Sequence, residues 1–204
     1  MLVTDKRSWE VDVKVWVKKV SLLAAGLFVG LTSSIGSADP LHQFGTEGAW
    51  RHEHSGWQFA RQVGSFSRVM APYTIDGNND VGVRYENASG LAAIVEVYTA
   101  DSVAPDAKLD GAKASAAQKA GESAHVQSER PFRIKKHKAL RGTRITYAAD
   151  KKSQGAQTRL YFFEASRWTV KVLGTASGDD AGKALDAFVQ ALPWDTLGDP
   201  TALH

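Results

Sequence analysis

From Trp57 to Gly174 apolar residues recur at every second position, in segments separated by turn residues, and that period constrains the fold more than any other feature. It specifies strands with one buried face. Trp57, Phe59, Arg61 and Val63 share one side of the first strand, and a second is expected at about Ser65–Met70. After a turn centred on Asp76, Gly77, Asn78 and Asn79, Val81, Val83 and Tyr85 form the inner side of the next. Leu91 to Tyr98 is apolar on both sides, which predicts a central strand covered from above and below. Further strands are expected at about Val126–Lys138, Leu140–Ala149, Ala156–Glu164 and Arg167–Gly174, with hairpin connections at residues 150–155 and at Ala165–Ser166.

Two stretches switch to helical chemistry. Between Pro105 and Ala124 the chain is rich in Ala, Lys, Asp and Gln, with a thin apolar stripe at Leu109, Ala112, Ala116 and Ala120. Gly111 and Gly121 weaken it, so a partly exposed helix is expected. The second helix spans about Asp179–Leu192, with Leu185, Phe188 and Leu192 on one face and Pro193 as its stop. Ser177 and Asp180 have the spacing of a capping box. Four strands, a helix, four strands and a helix describe an α+β fold, an antiparallel β-sheet packed by two helices. At 204 residues the chain is long enough for one well-buried core and needs no staples.

That order resembles the PsbP-like fold, found in photosystem accessory proteins and in many exported bacterial proteins. The resemblance covers about residues 46–195. It is carried by the aromatic hairpin Leu160-Tyr-Phe-Phe163 and Trp168-Thr-Val-Lys-Val172, and by the helix end Phe188-Val-Gln-Ala-Leu192-Pro-Trp194. It implies a noncatalytic accessory or binding role and transfers no functional residue.

Residues 1–38 are expected to be a signal peptide rather than part of the fold. Lys18 and Lys19 precede the apolar run Val20–Leu31, and small residues follow, with Gly36 and Ala38 at the −3 and −1 positions of a cleavage site after Ala38. The apolar run is short of the roughly 20 residues that cross a bilayer. The alternative is an uncleaved leader that anchors a periplasmic domain to the membrane. With cleavage, residues 39–204 form a single domain, with 39–48 and 196–204 expected to be poorly ordered. The leader holds five of the 25 Lys and Arg and three of the 22 Asp and Glu, which leaves 20 cations against 19 anions. So small an excess excludes a general nucleic-acid binder. Export without a single Cys suits a periplasmic or secreted bacterial protein, free of disulfides.

Candidate sites are few. His52 and His54, two apart on an expected short strand at Trp50–His54, would present both imidazoles to one metal ion, with His125 or His137 as a third donor. A metal-dependent enzyme centred on His52 and His54 is therefore an alternative reading. Asp76, Asn78 and Asp80 match the first half of a calcium loop, but Val81 and Asn87 stand where Gly and Glu are needed. The most biased stretch holds Arg130, Arg133, Lys135, Lys136, Lys138, Arg141 and Arg144 without an acid. With residues 132–138 as a strand, Arg133, Lys135 and His137 share one face, and Lys136 and Lys138 the other. Such a strand belongs at a sheet edge, where lysines block pairing with other chains, and it would also serve as an anion- or partner-binding strip. No nucleophile elbow, phosphate-cradling glycine loop or cofactor motif is present, so no catalytic residue is assigned. The expected partner is a protein or a small anionic or apolar ligand of the cell envelope, and the expected function an exported noncatalytic binding module.

Overall fold

A computed structural model describes residues 48–74, 80–99, 104–148 and 156–197. The expected leader, the lead-in to residue 47, the turn centre Asp76–Asn79, the connection at 150–155 and the tail from residue 198 lie outside the described residues. The fold is α+β. Seven strands come first: β1 (Trp50–Arg51), β2 (Gln58–Phe59), β3 (Gln62–Val63), β4 (Phe66–Arg68), β5 (Tyr73–Thr74), β6 (Val81–Asn87) and β7 (Ala92–Thr99). Helix α1 (Pro105–Ala120) is followed by β8 (His125–Arg133), β9 (Arg141–Ala148), β10 (Ala156–Ala165), β11 (Trp168–Ser177) and helix α2 (Asp179–Ala191).

The main sheet is antiparallel in the order β3-β4-β6-β7-β11-β10-β9-β8, with β5 also paired to β6, while β1 and β2 form a separate two-stranded ribbon. Seven strands rather than four precede α1. The expected strand over Trp57–Val63 is cut at Ala60–Arg61, so β2 pairs with the ribbon and β3 with the main sheet. Buried Arg68 joins the two parts: its guanidinium donates to the carbonyls of Phe59 (2.7 Å) and Gly48 (2.8 Å).

Strand alternation sorts the side chains into two unequal cores. The face under α2 collects Val83 and Tyr85 of β6, Val95 and Val97 of β7, Val170 and Val172 of β11, and Tyr161 and Phe163 of β10. Leu185, Phe188 and Val189 of α2 close it. The opposite face is thinner: Ala112, Ala116 and Ala120 of α1 pack on Ile145, Tyr147, Leu160, Phe162 and Leu173. Short alanines let the helix lie close but bury little area, as its weak stripe implied.

Three expectations are corrected. The β7 run is fully buried on one face only, because α1 lies over β9, β10 and β11; Ile94, Glu96 and Tyr98 stay half-buried. The edge strand β8 stops at Arg133 rather than Lys138. Ile134 turns into the core and two successive turns follow, closed by His137 N–H to the Ile134 carbonyl and Leu140 N–H to the His137 carbonyl. The alternation assumed for Arg133, Lys135 and His137 is therefore absent. Finally, α2 starts from Gly178 at φ +81° and no side chain caps it, so the Ser177–Asp180 box does not form. The first-turn amides of α2 lack a side-chain acceptor.

Candidate functional site

The basic stretch is divided among three places. On β8 and β9 the register sets Arg130 opposite Arg144, Phe132 opposite Gly142 and Arg133 opposite Arg141. Phe132 packs on Tyr161 and Phe163, which puts its strand neighbours in phase, Arg130 and Arg144, on the α2 face. Arg133 and Arg141 fall on the α1 face, where Arg141 borders a small cavity of about 170 Å³ with Asp106 and Glu164. Lys135, Lys136 and Lys138 lie exposed in the β8–β9 turn. That turn is tied to α2 by Gln190, which accepts from the Lys135 amide (2.9 Å) and donates to the Arg133 carbonyl (2.8 Å). The structure thus brings together Arg130 and Arg144 and separates the other five.

A third guanidinium joins them. Arg159 on β10 lies in phase with Tyr161 and Phe163, and it packs beneath the first turns of α2, against Gly182. A Cβ on Gly182 would overlap the Arg159 guanidinium, which would have to shift to admit it. Arg130, Arg144 and Arg159 line one cavity of about 280 Å³, which also meets Asp179 at the start of α2. Polar side chains complete the wall: Gln127, Ser128, Thr146 and Gln157. Gln127 sits at a bulge in β8, between Val126 and Ser128, where the ladder slips by one residue. Bulges commonly re-aim side chains beside binding sites. Gln157 Nε2 donates to the Gln127 side-chain carbonyl at 3.1 Å.

Asp186, on α2, organises two of the three cations. Its carboxylate accepts from Arg144 (2.7 Å), from the Tyr161 hydroxyl (2.5 Å) and, at the limit of a hydrogen bond, from Arg159 (3.5 Å). Burial, reinforced by the bond to Asp186, pushes the Tyr161 hydroxyl far above the usual tyrosine range and keeps it a donor. Arg144 also lies over the Phe132 ring, 5.8 Å from its centroid. Arg130 is exposed and has no ion pair or hydrogen bond among the described residues. The buried Nε atoms of Arg144 and Arg159 likewise have no acceptor there. Three guanidiniums around one cavity, with donors left over, can hold an anionic group through forked, charge-assisted bonds.

The histidine pair is arranged differently from its expectation. β1 ends at Arg51 and residues 53–55 form a turn, so the rule that alternate residues share a side does not apply to them. His52 is buried, with Nδ1 2.7 Å from the Ser55 hydroxyl and its ring edge-on to Trp168, while His54 is exposed. The two rings are 5.7 Å apart. His137 is 3.1 Å from Asp195, and His125 lies exposed at the start of the edge strand. Among the described residues no three His, Asp or Glu side chains gather as a metal site would need. Of the calcium-loop oxygen donors Asp76, Asn78 and Asp80, only Asp80 is described, and its carboxylate accepts from the Thr99 amide.

Arg159, Gln157 and Asp186 were not among the sequence candidates. The signal for Arg159 was available: a cation in phase with inward aromatic residues on a strand. Comparison with protein-family models and with curated protein sequences finds no match for this chain.

Proposed function

We propose that the chain is an exported, noncatalytic binding module of the bacterial envelope that holds an anionic ligand between the β8–β10 end of its sheet and the start of α2. The observation that carries this reading is the convergence of Arg130, Arg144 and Arg159 on one polar cavity, with a single carboxylate, Asp186, engaging two of them. Here the cations exceed their acceptors, and the uncapped first turn of α2 adds the positive end of a helix dipole. The leader-like residues 1–38 support export, and the resemblance to PsbP-like proteins supports an accessory role without chemistry.

Native mass spectrometry of the protein recovered from its own envelope tests both halves. The reading expects a chain that begins at Asp39 and carries a small acid, lost when Arg130 and Arg159 are replaced by Gln. A chain that retains residues 1–38 would contradict cleavage. A ligand that survives those replacements would contradict the site.

A further inference from the structure

The anion is held in a setting that restricts its chemistry further, and this inference rests on the reading of the cavity as an anion site. Three guanidiniums and the carboxylates of Asp179 and Asp186 leave one positive charge at the cavity. The α2 terminus adds roughly half a charge more. A monoanion is neutralised by that field. A dianion would keep an unmatched negative charge within reach of two carboxylates, and a like charge at that range is unfavourable.

The body of the ligand is specified by the rest of the wall. No apolar or aromatic residue lines the cavity; Gln127, Gln157, Ser128 and Thr146 supply amides and hydroxyls instead. An alkyl chain placed there would gain little by burial and would strip these groups of water. A hydroxylated body would replace that water bond for bond. The volume of about 280 Å³ lies just below the range of drug-sized pockets, about 300 Å³ and more, and suits one small molecule.

We infer that the Arg130–Arg144–Arg159 cavity binds a small hydroxylated monocarboxylate, of the size of a single sugar acid or hydroxy acid, in preference to phosphate esters and to fatty acids. The carboxylate takes the free fork of Arg130 together with the remaining donors of Arg144 and Arg159. Gln127 and Gln157 bond the hydroxyls, with the bulge in β8 setting Gln127 at the wall.

Isothermal titration calorimetry with four probes of similar size separates this inference from the reading beneath it. D-glucuronate carries the carboxylate and the hydroxyls, D-glucose 6-phosphate a dianionic ester, D-glucose no charge, and hexanoate no hydroxyls. The expected result is that D-glucuronate binds tightest, by about tenfold over each of the others. Arg130→Gln and Gln127→Ala should each weaken it, while Lys136→Gln, outside the cavity, should not. Unchanged circular dichroism of each variant excludes misfolding as the cause. Tighter binding of D-glucose 6-phosphate, or hexanoate equal to D-glucuronate, would overturn the inference and leave an anion site standing. D-glucose equal to D-glucuronate, or no heat from any probe, would overturn both.

Discussion

The sheet handles charge in two ways on its two faces. On the α1 face, Lys171 of β11 pairs with Glu96 of β7 directly across the ladder, both side chains nearly buried at 12% and 15% exposure. Nearby, Lys108 of α1 reaches Glu164 of β10 at 4.0 Å. Each of these two cations has its own anion. On the opposite face, under α2, Arg144 and Arg159 share Asp186, while exposed Arg130 has no partner among the described residues. The matched pair holds two central strands and an incompletely covered face together. The unmatched cluster leaves the exposed donors of Arg130 open to a ligand.

The largest effect should come from breaking the matched pair. Glu96→Gln leaves the largely buried Lys171 ammonium without its counter-charge, and should cost about 1.5–3 kcal/mol in urea unfolding. A cost below about 1 kcal/mol would place Lys171 in water rather than in the sheet. Next is Gly182→Ala. The added methyl must displace the Arg159 guanidinium, a cost offset by the helix-propensity gain of Ala over Gly of about 1 kcal/mol, so stability should change by less than about 1 kcal/mol while anion binding weakens. Unchanged binding would show that Arg159 is not part of the site.

Alkaline pH sharpens the comparison through the tyrosines. Tyr161 beside Asp186 and Tyr98 beside Glu96 are both raised far above their ordinary value, chiefly by burial and then by the adjacent carboxylates. The folded chain therefore holds these protons more tightly than the unfolded one. Their contribution is complete below about pH 10 and is lost as the pH climbs above it. Unfolding midpoints should fall steeply above pH 10, and Tyr161→Phe should flatten that fall. A midpoint indifferent to pH in that range would contradict the burial of both hydroxyls. The smallest effect is expected at the β8–β9 turn: Lys136→Gln should change stability by less than about 0.5 kcal/mol.

The elements were more legible than the site. Alternation located β8 to β11 to within a few residues at most boundaries, since a period of two over eight to ten residues leaves no competing structure. It failed where the chain leaves the ladder. At Ile134 the core takes a side chain that sequence alone would continue as strand, and at Ala60–Arg61 pairing changes from one sheet to another. The site was half visible. Arg130 and Arg144 stood out in a run of positive charge, but a run along the chain does not reveal register. That Arg133 and Arg141 face away, and that Arg159 and Asp186 complete the cluster from β10 and α2, follows only from strand pairing and from the approach allowed by Gly182.

On the proposed reading, Arg130 is kept for a ligand rather than for the fold. Urea unfolding of wild type and Arg130→Gln, each with and without D-glucuronate, tests it most directly. Removing one of three neighbouring guanidiniums should leave the ligand-free midpoint unchanged or raise it, while abolishing the stabilisation that the ligand gives to wild type. A ligand-free loss of more than about 1 kcal/mol, with the ligand's stabilisation intact, would make Arg130 a structural residue and contradict the claim.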